Sequence, residues 1–159
     1  MLRVTKLTDY ATVVMTVLAK STVGLHSANE LAQIAGLEVP TVSKVLKPLA
    51  QAGLVESYRG THGGYRLSRD ASRISLLEIV ESIEGPLAMT ACNDHVNGCD
   101  MQAQCDAASN WQWVNNVLAE TLAGIDLASM IDSASRQRPS TEAARRQIHA
   151  VLQTPSESS

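Results

Sequence analysis

The residues from Ser27 to Gly53 leave the chain little conformational choice. Ser27-Ala-Asn-Glu30 is a capping box, in which the serine and glutamate side chains each satisfy a free backbone N–H at a helix start. The short helix it opens carries Leu31, Ala32 and Ile34 and closes at Gly36. A three-residue turn, Leu37–Val39, leads to Pro40, which suits a helix's first turn because its missing N–H would be unpaired there anyway. The helix from Pro40 to Ala52 stops at Gly53, with Val42, Val45, Leu46 and Leu49 facing inward. Pro48 removes one hydrogen bond and should bend its last turn. Two helices joined by a tight turn form a helix-turn-helix, whose second member reads a DNA groove.

The flanking segments complete that unit. Thr8 or Thr5 caps a first helix through Lys20, with Val13, Val14, Val17 and Leu18 at helical spacing, and Ser21–Leu25 is a turn. Leu54–Arg59 and Tyr65–Ser68 read as short strands around Gly60-Thr-His-Gly-Gly64, and a hairpin in this place is a wing. Its glycines allow a sharp tip and close approach to a phosphate or minor groove, flanked by Arg59 and Arg66. A second capping box, Ser75-Leu-Leu-Glu78, starts a helix with Leu76, Leu77, Ile79, Val80 and Ile83 that ends at Gly85-Pro86. A long helix from about Ala107 to Leu122 carries Trp111, Val114, Val117, Leu118 and Leu122, followed by a turn at Leu127–Ile131 capped by Asp126. Its apolar stripe suits packing on a second copy, an intramolecular core helix being the alternative.

The expected fold class is therefore mainly α with a small β wing. Residues 1–86 form a winged helix-turn-helix domain, 87–106 a cysteine loop, 107–132 a dimerisation helix and 133–159 a disordered tail with at most a fraying helix at Thr141–Leu152.

Charge divides along the same lines. Residues 1–70 carry eight Lys/Arg against five Asp/Glu, whereas residues 71–159 carry five against eleven, which together give the net −3. No Lys or Arg occurs between Arg73 and Arg136. The N-terminal part thus suits a polyanion, and phosphate contacts are local enough that an acidic whole-chain balance does not oppose them. Thr41, Ser43 and Lys44 at the start of the reading helix, Lys47 on phosphate, and Arg59 with His62 at the wing are the candidate DNA contacts. The bland alternatives are solvated surface charge for Lys44 and Lys47 and a turn residue for His62.

All three cysteines, Cys92, Cys99 and Cys105, fall in one short Gly- and Asn-containing stretch. An odd count argues against a disulfide framework and for a metal centre. The gaps of six and five residues exceed the roughly two to four usual in zinc fingers. A loop of that reach could wrap an iron–sulfur cluster held by thiolates. Zinc held with His95, a thiol switch joining Cys99 and Cys105, and three unrelated thiols are the rivals. No nucleotide loop, carboxylate pair or Ser/His/Asp arrangement argues for an enzyme. Met1–Lys20 is no signal peptide and no run of about 18 apolar residues could span a bilayer, so a cytoplasmic protein with reduced thiols is expected.

The opening Leu-Thr-Asp9-Tyr10-Ala, the wing Arg59-Gly60-x-x-Gly63-Gly64-Tyr65-x-Leu67 and the three-cysteine loop before a Trp-containing helix resemble the Rrf-two family of bacterial winged-helix regulators, over about residues 1–132. The Thr-Asp-Tyr-Ala-Thr-Val-Val opening is most similar to regulators of the SUF iron–sulfur assembly operon. The resemblance implies a homodimeric repressor on a palindromic operator in double-stranded DNA. Each subunit would hold one cluster, [2Fe-2S] or alternatively [4Fe-4S], through Cys92, Cys99 and Cys105. IscR-type members place a histidine three residues beyond the third cysteine, where this chain has Ala108. NsrR-type members use an aspartate near the first helix start, donated by the other subunit, and Asp9 matches that place. His95 and Asp106 are local rivals. A nitric-oxide or redox-sensing repressor, or a cluster-free thiol switch, is the alternative function.

Overall fold

The structure is a computed structural model that describes residues 4–21, 24–60, 62–88 and 107–132. The cysteine loop and everything from 133 onward, including the expected tail, lie outside the described residues. The elements are α1 (Lys6–Lys20), α2 (Ala28–Ala35), α3 (Val39–Gln51), β1 (Val55–Tyr58), β2 (Gly64–Leu67), a 3-10 turn (Ala71–Arg73), α4 (Leu76–Glu84), α5 (Ala107–Ala123) and α6 (Leu127–Ile131). A mainly helical chain with a small antiparallel wing is what the sequence led us to expect.

Local chemistry sets the boundaries. Thr5, of the two candidate threonines, caps α1, with Asp9 in the first turn and Lys20 in the last, each at the end its charge favours. Both capping boxes form in full, Ser27 with Glu30 and Ser75 with Glu78. Gly36 ends α2 in the left-handed region that glycine tolerates. The third helix runs through Pro48 to Gln51, and Val42, Val45, Leu46 and Leu49 are all buried beneath it.

These side chains meet Ala11, Val14, Met15 and Leu18 of α1, Leu31 and Ala32 of α2, and Ile79 of α4 in one core. Of the three apolar residues of α2 named from the sequence, Leu31 and Ala32 are buried whereas Ile34 is 60% exposed. Val13 and Val17 are only half-buried, while Ala11 and Met15 take the inward places.

Two short pairings hold the layers together. His26 adds a one-residue third strand beside β2, its N–H donating to the Tyr65 carbonyl at 3.0 Å and its carbonyl accepting from Tyr65 N–H at 2.8 Å. At the other end, Leu76 N–H donates to the Ile125 carbonyl (2.7 Å) and Leu127 N–H to the Ile74 carbonyl (2.8 Å). This stitches the C-terminal segment back onto the base of α4 and buries Leu127 completely. Helix α6 is thus part of the DNA-binding unit's core and packs on α1, while α5 packs on α4.

Truncating Leu127→Ala is expected to cost about 2–5 kcal/mol, the usual range for a fully buried leucine. Urea denaturation followed by circular dichroism measures it; a loss below about 0.5 kcal/mol, typical of a surface change, would remove α6 from the core.

Candidate nucleic-acid interface and cysteine segment

The outer face of α3 is a polar stripe opposite its buried one. Ser43, Lys44 and Lys47 are exposed and share that face at helical spacing, and Thr41 beside them is half-buried. The helix contains no acidic residue, and its cap residue Glu38 makes no side-chain capping bond.

Directly after α3, the hairpin β1–β2 pairs Val55 with Leu67, Glu56 with Arg66, Ser57 with Tyr65 and Tyr58 with Gly64. Its base is closed onto the end of α3 by Ser68 Oγ donating to the Gly53 carbonyl at 2.6 Å. Each glycine of the tip answers a different demand. Gly60 has φ +113°, a conformation that L side chains rarely adopt. A Cβ on Gly63 would lie 2.2 Å from the Tyr58 carbonyl oxygen, and one on Gly64 would lie 2.8 Å from the His26 backbone. Arg59 and His62 stand exposed at that tip.

Arg66 is not free at the tip's flank. Its Nε and Nη2 converge on Glu56 Oε2 at 2.9 and 2.8 Å, and Nη2 also donates to the Tyr58 hydroxyl at 2.6 Å. Tyr58 in turn donates to the same Glu56 oxygen at 2.8 Å. The Tyr58 hydrogen bond, then those from Arg66, hold the Glu56 carboxyl below the usual range, while the bond to Glu56 pushes the Tyr58 phenol up. Sequence reasoning missed this triad, although the two-residue spacing of Glu56 and Tyr58 with an arginine across the hairpin was a usable signal.

At the opposite end of α1, Glu84 Oε1 accepts from Thr5 N–H (3.1 Å), the Thr5 hydroxyl (2.6 Å) and the Thr8 hydroxyl. Thr8 is buried, and this carboxylate gives its hydroxyl an acceptor. One turn earlier, Glu81 Oε1 accepts from Leu87 N–H at 3.2 Å and so fixes the chain as it leaves α4. Asp9 is exposed beside Thr8 and lines a groove of about 990 Å³ with Thr12, Val80, Leu87, Leu118 and Leu122. The groove therefore joins α1, α4 and α5, the last two being the elements on either side of the cysteines in sequence.

Cys92, Cys99 and Cys105, with the rival ligands His95 and Asp106, lie outside the described residues. Among the described residues no group of three or more His, Cys, Asp or Glu side chains could hold a metal. The structure thus places the six candidate DNA contacts on the α3–wing side and Asp9 in the groove.

A helix-turn-helix joined to a two-stranded wing defines a winged-helix DNA-binding protein. The chain belongs to the Rrf2 family, described as an iron-dependent transcriptional regulator, which matches residues 4–133; this is the Rrf-two family of the sequence resemblance. It is 32% identical over 131 residues to protein aau3 of Rhizobium meliloti, covering 82% of this chain and 85% of that one. To the HTH-type transcriptional regulator IscR of Escherichia coli it is 26% identical over 133 residues, covering 83% and 82%. Among solved structures it is similar to T. potens IscR (29% identity, TM-score 0.63, 86% and 91% covered). It is also similar to CymR (YrzC), the global cysteine regulator of B. subtilis (26% identity, TM-score 0.64, 82% and 97% covered). The chain is a DNA-binding transcriptional regulator and not an enzyme. No helix among the described residues is long and apolar enough to cross a membrane.

The Glu84 clasp has a pH signature. Hydrogen bonds from the Thr5 hydroxyl first and Thr8 second hold its carboxyl below the usual glutamate range. A carboxyl lowered on folding contributes stability that is complete above its unfolded pKa and lost as pH falls through the folded one. Wild type should therefore lose more stability than Glu84→Gln in urea titrations between about pH 7 and pH 3. Equal losses would show that the clasp needs no charge.

Proposed function

We propose that this regulator is a homodimeric repressor of SUF-type iron–sulfur assembly genes whose hold on DNA reports the state of its cysteine segment. The observation that carries the reading is the position of Asp9: an exposed carboxylate on α1, lining the groove between the helices that precede and follow the cysteines. Three thiols and one carboxylate form a chemically suitable donor set for an iron–sulfur cluster, proposed as [2Fe-2S] with [4Fe-4S] the alternative. Cys92, Cys99 and Cys105 would hold it, with Asp9 of the partner subunit as fourth ligand and His95 or Asp106 as the local substitutes. When bound, the cluster supplies a centre sensitive to oxidants, nitric oxide and iron supply. The family description as iron-dependent and the IscR relatives support this choice.

The remaining work falls to the chain itself. Glu81 fixes Leu87 at the exit of α4, Glu84 ties that same turn to the start of α1, and α1 packs on α3. A changed path of the cysteine segment would therefore be felt at the reading helix. Trp111 and Trp113 of α5 are 42% and 46% exposed in the single chain, which suits a helix that packs on a second copy. Two such readers match a palindromic operator with half-sites one or more helical turns apart. Thr41, Ser43 and Lys44 would meet base edges and backbone, Lys47 a phosphate, and Arg59 with His62 the groove flank. The cytoplasm is the proposed location.

The likeness to the cysteine regulator CymR favours one second reading, a cluster-free switch in which the Cys99 and Cys105 thiols lose two electrons and two protons to an oxidant and form a disulfide.

Protein purified without oxygen should contain iron and sulfide and absorb visible light. Cys92→Ala should remove that absorbance, and Asp9→Ala should shift it or shorten its lifetime. A colourless wild type with all its thiols titratable would replace the cluster by the disulfide switch, and an unchanged Asp9→Ala spectrum and lifetime would remove Asp9 from the ligand set.

A further inference from the structure

We propose that Glu56 is a built-in attenuator of DNA binding, holding Arg66 away from the DNA backbone as a resident substitute for a phosphate. The proposal rests on the DNA-binding role of the wing and adds two residues to it. Glu56 is the only acidic residue between Leu54 and Ser68, a stretch that also contains Arg59, His62 and Arg66. It stands directly opposite Arg66 in the hairpin register, and Tyr58 on the same face immediately precedes Arg59. Arg66 lies two residues beyond Gly64, which is about 7 Å along a strand. An arginine side chain there can reach a backbone phosphate flanking the groove that the tip approaches.

The geometry of the triad makes the carboxylate a replaceable partner. Both guanidinium nitrogens converge on one oxygen, Glu56 Oε2, instead of forming two parallel bonds. A phosphate offers several oxygens and accepts the guanidinium fork with better geometry. The pair is open to solvent, the Arg66 and Glu56 side chains being 54% and 41% exposed, and exposed pairs of this kind contribute little to folding. Tyr58 holds Arg66 independently: the guanidinium carbon is 4.9 Å from the ring centroid and Nη2 donates to the hydroxyl. With the Glu56 charge removed, Arg66 stays poised on the outer face of the wing and becomes available to phosphate. With it present, the hairpin carries a negative charge toward a polyanion and one of its two arginines is neutralised.

The test is the salt dependence of binding by the full chain to a mixed-sequence duplex of about 30 base pairs, since phosphate contacts are independent of sequence. Glu56→Gln should bind about three- to ten-fold more tightly than wild type at 50 mM salt, with a log–log salt slope steeper by about 0.9, one added phosphate contact. That advantage should shrink about three- to four-fold by 200 mM salt. Adding Arg66→Gln to Glu56→Gln should return both affinity and slope to near wild type. Unchanged or weaker binding by Glu56→Gln overturns the proposal, and so does a gain that survives in the double variant, because the gain would then be general electrostatics and not Arg66. Salt-dependent binding by wild type separates either failure from a failure of the DNA-binding role, which only a wild type that binds no duplex would indicate.

Discussion

One carboxylate oxygen on the last residue of α4 holds the start of α1, and the placing of α1 against α4 depends on it. Glu84 sits where a helix dipole disfavours negative charge, but it faces the opposite, favourable end of the fifteen-residue α1. It also gives the buried Thr8 hydroxyl an acceptor, beside the Thr5 hydroxyl 3.3 Å away. With α1 fixed, Ala11, Val14, Met15 and Leu18 are presented to α2 and α3, and Asp9 is presented to the groove. The same turn of α4 fixes the outgoing chain through Glu81, so the approach to the cysteines and the seat of the reading helix share one anchor.

The wing depends on a different constraint, steric instead of electrostatic. Gly60, Gly63 and Gly64 are required by a backbone angle, a neighbouring carbonyl and a third strand respectively. Behind the tip, Arg66 acquires defined partners in Glu56 and Tyr58. Arg69 extends the same logic at the wing's exit, bonding Glu78 and the Arg73 carbonyl so that the hairpin is tied to the base of α4. In this way the two halves of the proposed DNA-contacting surface, α3 and the wing, are referred to one scaffold.

Much of this was legible in the sequence because the signals were local. The capping boxes at Ser27 and Ser75, the stop at Gly36 and the inward face of α3 each follow from residues three or four apart. The glycine-rich turn between two short strands gave the wing for the same reason. What escaped reading is long-range: His26 as a one-residue strand has no alternation to detect, and the Glu84 clasp joins residues nearly the whole unit apart. Leu127 belongs to a five-residue helix too short to show periodicity, and only its pairing with Ile74 brings it into the core. Ile34 shows the reverse, an apolar residue of the short α2 that stays exposed while Leu31 and Ala32 are buried. Of the candidate site, the polar face of α3 and the glycine tip were legible; the neutralisation of Arg66 was not, because it depends on which residue stands across the hairpin.

The proposed coupling between the cysteine segment and the DNA-reading face is tested most directly by one oxygen-free titration. Iron-loaded protein, and the same preparation stripped by a chelator with its thiols kept reduced, would be titrated against a duplex from the chain's own promoter. Coupling of the usual allosteric size, about 1–3 kcal/mol, should separate the two affinities by roughly five- to 150-fold. Identical affinities would contradict the coupling and leave a winged-helix reader whose cysteines have no say in its grip on DNA.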